Sequence, residues 1–262
     1  MTILVALVAM LLLAGCGEPQ TTSLTFECMG TTGSVKVRDG ALPDLDIVYQ
    51  LDSELSHWKP DSPLSQFNKA PAGAPFLAPE SLVDIVLLAN ELCTRTDGAF
   101  DIALGSGRVT VDHDAQTLTK SKRTTRIDLS AIAKGYAIDR LAEAIASDDF
   151  LIEFGGELRA GPGGSWTAGI ERKDGSGTLR RTVKLRGQSI ATSGTYRLGE
   201  HIVDPRTGEP ATAGVVSASV IAKTAAEADA LATALMVTGK PIGSASIVFG
   251  DGKVRETGAF AP

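Results

Sequence analysis

The sequence predicts an α+β fold in which helices pack on antiparallel sheet within a single compact domain. Three observations carry that prediction. Short stretches with period-two alternation flank Gly- or Asp-containing turns, the pattern of hairpins. Segments with apolar residues at helical spacing are interspersed among these strands without a regular strand–helix alternation, which disfavours a doubly wound parallel sheet. After the first two dozen residues, no linker-like composition and no internal repeat divides the chain.

The N-terminus stands apart from the fold. Thr2–Leu13 is an apolar run too short to span a bilayer comfortably, and it ends in Leu13-Ala14-Gly15-Cys16. Small residues ahead of a cysteine, with a polar stretch behind it, look like a bacterial lipoprotein signal. Residues 1–15 then read as a signal peptide, Cys16 as the lipidated first residue and 16–23 as a tether. Residues 24–262 form the domain. An ordinary secretory signal with a chance cysteine is the plainer alternative.

Leu24–Arg38, broken by Gly30 and Gly33, reads as strand, turn, strand. Leu42–Leu55 is helical, with Leu45, Val48, Leu51 and Leu55 in register, and Ser56–Asn68 reads as a polar loop. Pro79–Thr96 is a second amphipathic helix, with Leu82, Ile85, Val86, Ala89 and Leu92 on one face and Gly98 as its stop. Arg108–Lys120 is a hairpin around Asp112–Gln116. A third helix runs from about Ala131 to Ala146, with Ser130 as its N-cap. Phe150–Phe154, Trp166–Arg172, Thr178–Leu185 and Ser189–Thr192 are short strands between Gly-rich turns. Val215–Ala222 is a strand and Ala225–Val237 a helix with Gly239 behind it. Ser246–Val254 is a final hairpin around Asp251-Gly252.

Composition bounds the function. The 262 residues are 43% hydrophobic and 21% charged, ordinary for a folded soluble protein. A net charge of −6 with dispersed basic residues argues against nucleic acid as a main partner, because phosphate backbones reward clustered Lys and Arg. The 28 glycines imply many tight turns and places where backbone comes close to a ligand. Cys28 and Cys93 can pair in an oxidising compartment, but two cysteines make no disulfide framework, and they read as two buried apolar residues.

The residues that carry chemistry are spread along the chain. Asp128-Leu129-Ser130-Ala131-Ile132-Ala133-Lys134-Gly135 sets an acid, a serine and a lysine around a helix start, where free N–H groups and the dipole suit an anion. A capped helix with a solvated lysine is the bland alternative. Asp229 and Thr233 lie one helical turn apart and offer two hard oxygens of the kind Mg²⁺ accepts, although such a pair is also what a solvated face looks like. His201-Ile202-Val203-Asp204-Pro205-Arg206-Thr207-Gly208 starts a short strand that runs into a turn. In it His201 and Asp204 can act as base and orienter, or Asp204 can simply cap its own turn. Ala191-Thr192-Ser193-Gly194 supplies hydroxyls beside a flexible glycine. Ala99-Phe100-Asp101 and Phe154-Gly155-Gly156-Glu157 permit close approach to a flat ligand, and Trp58 is a stacking surface or a partly buried core residue.

Taken in order, Met29-Gly30-Thr31, Ser56–Ser62, Thr96–Asp101, Asp128–Asp139, Phe154-Gly155-Gly156, Thr192-Ser193-Gly194, His201–Gly208 and Asp229–Thr233 resemble the FAD:protein FMN transferase (ApbE) family over nearly the whole domain. The resemblance implies antiparallel sheets packed with helices in a tunnelling-fold-like arrangement. It implies an enzyme that takes FAD and Mg²⁺, moves FMN onto a threonine hydroxyl of a membrane redox protein and releases AMP. Some members instead hydrolyse FAD to FMN and AMP. It places the protein in the bacterial cell envelope, lipid-anchored on the periplasmic side of the membrane.

By the same resemblance Asp229, Thr233 and the Ala131 carbonyl hold the metal, and Lys134 meets the FAD. Met29, Trp58, Ala99, Phe100, Asp101 and Val203 line the flavin site, and His201 activates the acceptor. Two departures stand out. Only 26 residues, 102–127, separate Asp101 from Asp128, where the family has a longer segment. Trp58 replaces a common tyrosine, and an aromatic there favours transfer over hydrolysis. A flavin-binding lipoprotein without catalysis is the reading from a different class.

Overall fold

A computed structural model describes residues 20–172, 178–195 and 202–261. Strands β1 (Thr21–Cys28) and β2 (Thr31–Arg38) open the chain, so the fold begins three residues inside the stretch read as a tether. Their turn is Met29-Gly30, with φ of 48° and 72°, the left-handed pair that matches hairpin twist. Then follow α1 (Asp46–Leu55), α2 (Pro63–Lys69), β3 (Phe76–Leu77), α3 (Glu80–Arg95), β4 (Val109–Asp112), β5 (Thr117–Lys120) and α4 (Ala133–Glu143). The second half holds β6 (Phe150–Phe154), β7 (Glu157–Ala160), β8 (Trp166–Glu171), β9 (Leu179–Leu185), β10 (Ser189–Gly194), β11 (Val215–Ala222), α5 (Ala225–Thr238), β12 (Ser244–Phe249) and β13 (Val254–Glu256). A 3₁₀ turn covers Gly258–Phe260.

Among the described residues every strand pairing is antiparallel, as expected. The main sheet has the order β1-β2-β6-β7-β10-β11-β12-β13, with β3-β5-β4 and β8-β9 as separate small sheets. Neighbouring residues of β11 face opposite cores. Val220 joins the larger one, shared with α1, α3, α4 and α5. Ile221 joins a smaller one capped by Trp166, Ala168, Ile170, Val183 and Leu185 of the β8–β9 hairpin. Helix α5 is apolar around its circumference and almost wholly buried, as a helix enclosed on all sides must be.

Some local expectations need correction. The loop Ser56–Asn68 contains α2, started by Ser62, whose hydroxyl accepts from Ser65 N at 3.0 Å, and by Pro63 at its first position. Strand β7 follows the Gly155-Gly156 turn and was not anticipated. The helix expected to start at Ala131 starts at Ala133, and Ser130 does not cap it; Ser130 N and Oγ both donate to Asp128 Oδ1, at 2.8 and 2.6 Å. Cys28 is buried and Cys93 only half-buried, and both thiols are free.

Two contacts hold the N-termini of α4 and α5 side by side. Gly135 lets the helices touch: a Cβ there would lie 2.4 Å from the Ala225 carbonyl oxygen. One turn further along α4, Asp139 accepts from Ala225 N and Ala226 N, both at 2.8 Å, and so caps α5 from outside. Arg159 pairs with the same carboxylate. Thr224 caps the helix conventionally, accepting from Glu227 N at 3.3 Å.

Candidate active site

A cleft of about 850 Å³ opens beside those two helix starts, and ten of the residues expected at the site line it. Lys134, in the first turn of α4, and Asp229, in the second turn of α5, face each other because Gly135 draws the helices together. Lys134 Nζ lies 4.0 Å from Asp229 Oδ2 and 3.6 Å from Glu157 Oε1, and it donates to the Ser130 carbonyl at 3.4 Å. Thr233 sits one turn beyond Asp229, with its hydroxyl 3.3 Å from Ser193 Oγ. The alternative of a solvated face does not hold for Asp229, which is only 4% exposed.

The electrostatics of this floor are unusual. Burial pushes Asp229 above the usual carboxylate range, against the pull of Lys134. Glu157 is pushed up to about 8, first by burial and then by the Asp229 charge. The Asp229 charge holds the Lys134 ammonium above its ordinary value, burial opposing and Glu157 assisting. Asp229 Oδ2 and Glu157 Oε2 are buried without a hydrogen-bond partner. Such orphaned oxygens are costly unless something fills their shell.

Asp229 Oδ2, with Thr233 and Ala131 beside it in the cleft lining, suits a hard divalent cation that completes its shell with ligand phosphates and water. Among the described residues no group of three or more His, Cys, Asp or Glu forms a metal site unaided. The residues present fit an ion shared with an anionic ligand.

The walls differ from the floor. Trp58 is 84% exposed at the rim and packs on His57 with ring centroids 4.6 Å apart, so it is a free aromatic surface and not a core residue. Met29 presents its side chain from the strained hairpin turn. Ala99 and Phe100 are almost wholly buried and form the backing of the wall. Asp101 shapes its own loop, accepting from Ala103 N at 2.8 Å and Gly105 N at 2.9 Å.

The turn after His201 is only partly as expected. His201 lies outside the described residues. Val203 lines the cleft but forms an isolated bridge with Pro210 and not a strand. Asp204 is not among the cleft-lining residues. Its carboxylate accepts from Arg206 N at 3.0 Å, Nε at 2.8 Å and a terminal nitrogen at 2.6 Å. Hydrogen bonding to Arg206 holds Asp204 below the usual carboxylate range. Asp204 therefore braces its own turn, and His201, which it was expected to orient, lies outside the described residues. That turn docks on the loop after α3, where a Cβ on Gly105 would meet the Pro205 carbonyl oxygen at 2.2 Å.

Glu157 was missed as a site residue. Its signal was a carboxylate directly behind Gly155-Gly156, the turn that brings β7 to the cleft.

An antiparallel α+β domain with an acid–lysine floor, a hydroxyl and an aromatic rim defines a class of protein whose cleft suits an extended ligand, flat and apolar at one part and anionic at another. Comparison with known proteins makes this specific. The ApbE family profile matches residues 29–109 and 104–248. The chain is 30% identical to the FAD:protein FMN transferase of Vibrio cholerae serotype O1, covering 92% of this chain and 89% of that protein. It is 32% identical to the same-named protein of Klebsiella pneumoniae, over 88% and 85%. The solved structure of the flavin transferase ApbE from Vibrio cholerae superposes with a TM-score of 0.80 at 26% identity, covering 93% and 99% of the two chains. The apo form of the Pseudomonas stutzeri flavinyl transferase ApbE gives 0.78 at 27% identity, over 93% and 97%. The chain belongs to the ApbE family. Its two matched stretches meet inside the short 102–127 segment.

Proposed function

We propose that this protein is a Mg²⁺-dependent FAD:protein FMN transferase that joins FMN to a threonine hydroxyl of a partner protein and releases AMP. The observation that carries the reading is the convergence of Lys134, Asp229 and Thr233 with Trp58 and Met29 on one cleft, in a chain whose family relatives bear that name. Asp229, Thr233 and the Ala131 carbonyl would hold the ion. Bound there, Mg²⁺ supplies charge neutralisation at the phosphate oxygens.

Lys134 adds a cation beside the pyrophosphate, and Trp58 offers its exposed face to the flavin. His201 takes the proton of the acceptor hydroxyl. The hydroxyl oxygen bonds to the FMN phosphorus, the bond from that phosphorus to the bridging oxygen breaks, and AMP leaves with that oxygen. A lipidated Cys16, suggested by the Leu13-Ala14-Gly15-Cys16 pattern, would anchor the enzyme to the outer side of the inner membrane, where its acceptor is a membrane redox protein.

The test incubates the protein with FAD, Mg²⁺ and a threonine-bearing acceptor domain. Transfer adds the mass of one FMN to the acceptor. Free FMN plus AMP with an unmodified acceptor would identify an FAD pyrophosphatase using the same site. Intact FAD retained by the protein would identify a binding protein, and an absence of flavin interaction would sink the proposal. Mass spectrometry of the N-terminus checks the acylated cysteine.

A further inference from the structure

Lys134 sits between two carboxylates and is tightly bound to neither. Its ammonium is 4.0 Å from Asp229 Oδ2 and 3.6 Å from Glu157 Oε1, and its hydrogen bond is to the Ser130 carbonyl. Glu157 is 6% exposed, and its other oxygen is buried without a partner. Gly155, with φ of 66°, leaves the room for this: a Cβ there would press on the Lys134 stem at 3.0 Å and on Glu157 Oε2 at 3.3 Å. The β6–β7 turn thus brings a carboxylate into the interior whose nearest charged neighbours among the described residues are one lysine and the acid proposed to hold the metal.

We propose that Glu157 is a positioning residue, the alternative seat for the Lys134 ammonium when a divalent cation occupies Asp229. This rests on the metal reading above. Without the ion, Lys134 is the cation nearest Asp229 among the described residues. An incoming divalent cation and the ammonium repel each other at that range, so the ion must displace Lys134 or bind against it. Glu157 offers a seat on the same side-chain tether, within reach by a small rotation. Lys134 then stays in the cleft as a ready cation for the ligand phosphates.

The two side chains must therefore be coupled in their effect on metal binding, which a double-mutant cycle reads directly. Mn²⁺ binding, followed by electron paramagnetic resonance without FAD, serves as probe. In Glu157→Gln the seat can no longer ionise to receive the ammonium, Lys134 stays on Asp229, and Mn²⁺ affinity is expected to fall about tenfold or more, equal to ~1.4 kcal/mol. Lys134→Met removes the competitor and is expected to bind Mn²⁺ at least as well as wild type. Adding Glu157→Gln to Lys134→Met is expected to change affinity by less than about twofold.

An equal fall in both backgrounds would overturn the proposal in favour of Glu157 as a ligand or simple source of field. So would unchanged affinity in Glu157→Gln, or a fall in Lys134→Met alone. If wild type binds no Mn²⁺, or Asp229→Asn binds it as wild type does, the metal reading itself fails and takes the proposal with it. Thermal melts of each variant separate misfolding from lost affinity, and Lys134→Met tests the competition even if Glu157→Gln does not fold.

Discussion

At Glu157, burial and the neighbouring Asp229 charge raise the carboxyl to about 8 from the 4.5 of a free glutamate. Because the folded-state pKa lies above the unfolded one, the folded protein binds the extra proton between those values. The stabilisation from this group is full below about pH 4.5 and is lost as pH rises through 8, with a slope of at most about 1.4 kcal/mol per pH unit. Glu157→Gln removes that slope. In chelator, denaturant titrations are expected to show wild type losing stability relative to the variant between pH 5 and pH 8; an equal difference at both pH values would count against the buried, proton-holding carboxyl. Trp58 makes a different kind of prediction, since its ring is free and stabilises little. Trp58→Ala is expected to leave the melting temperature nearly unchanged while weakening flavin binding by roughly 1–3 kcal/mol, the usual worth of a base–aromatic stack. Quenching of flavin fluorescence measures it, and undiminished affinity would remove Trp58 from the ligand surface.

At the scale of elements, the junction of α4 and α5 carries the site. Gly135→Ala would place a methyl 2.4 Å from the Ala225 carbonyl oxygen, and backbone on both sides leaves no flexible neighbour to yield. A loss of at least ~2 kcal/mol is expected, with Mn²⁺ affinity falling alongside because Lys134 and Asp229 move apart. Asp139→Ala strips two N–H groups at the start of α5 and leaves Arg159 unpaired, an expected cost of about 2–4 kcal/mol in chemical denaturation. A cost under ~0.5 kcal/mol would show that Thr224 alone caps the helix. Neither device was legible beforehand. Helical spacing located α4 and α5, and Lys134, Asp229 and Thr233 were readable as chemistry, because residue type and period are local properties. That Asp139 caps a helix beginning at Ala225 is a relation between distant segments. Ser130 looked like a cap because caps are recognised by type, yet a carboxylate two residues earlier captured its hydroxyl. α2 escaped notice for the opposite reason: its seven residues are too few for a periodic signal, although Ser62-Pro63 marked its start.

In the whole molecule, the main sheet separates the half that carries α4 and α5 from a covering half, and alternation along each strand announced both faces without saying what covers them. The strand order was not readable, since β2 pairs with β6 and β7 with β10 across intervening elements. The cover is the β8–β9 hairpin, which sends Gly169, Ile170 and Glu171 to the cleft. It is pinned at both ends. Trp166 Nε1 donates to Asp149 Oδ1 at 2.9 Å beneath the Arg38 guanidinium, which stacks 3.9 Å above the indole. Arg180 and Arg181 of β9 reach Glu256 of β13 at 3.2 and 2.9 Å, and Ser246 of β12 joins the same carboxylate at 3.0 Å. Glu256→Ala would leave two half-buried guanidiniums without their shared partner, a cost of about 1–3 kcal/mol. Since α4 and α5 lie on the other side of the sheet, Mn²⁺ affinity is expected to stay within about twofold of wild type. The affinity for FAD is expected to fall as the hairpin loosens its hold on the cleft wall. A variant that lost metal and flavin affinity in equal measure would show that the two halves of the cleft are one mechanical unit. Loss of flavin affinity alone would place the metal on the helix pair and the grip on the ligand partly in the cover.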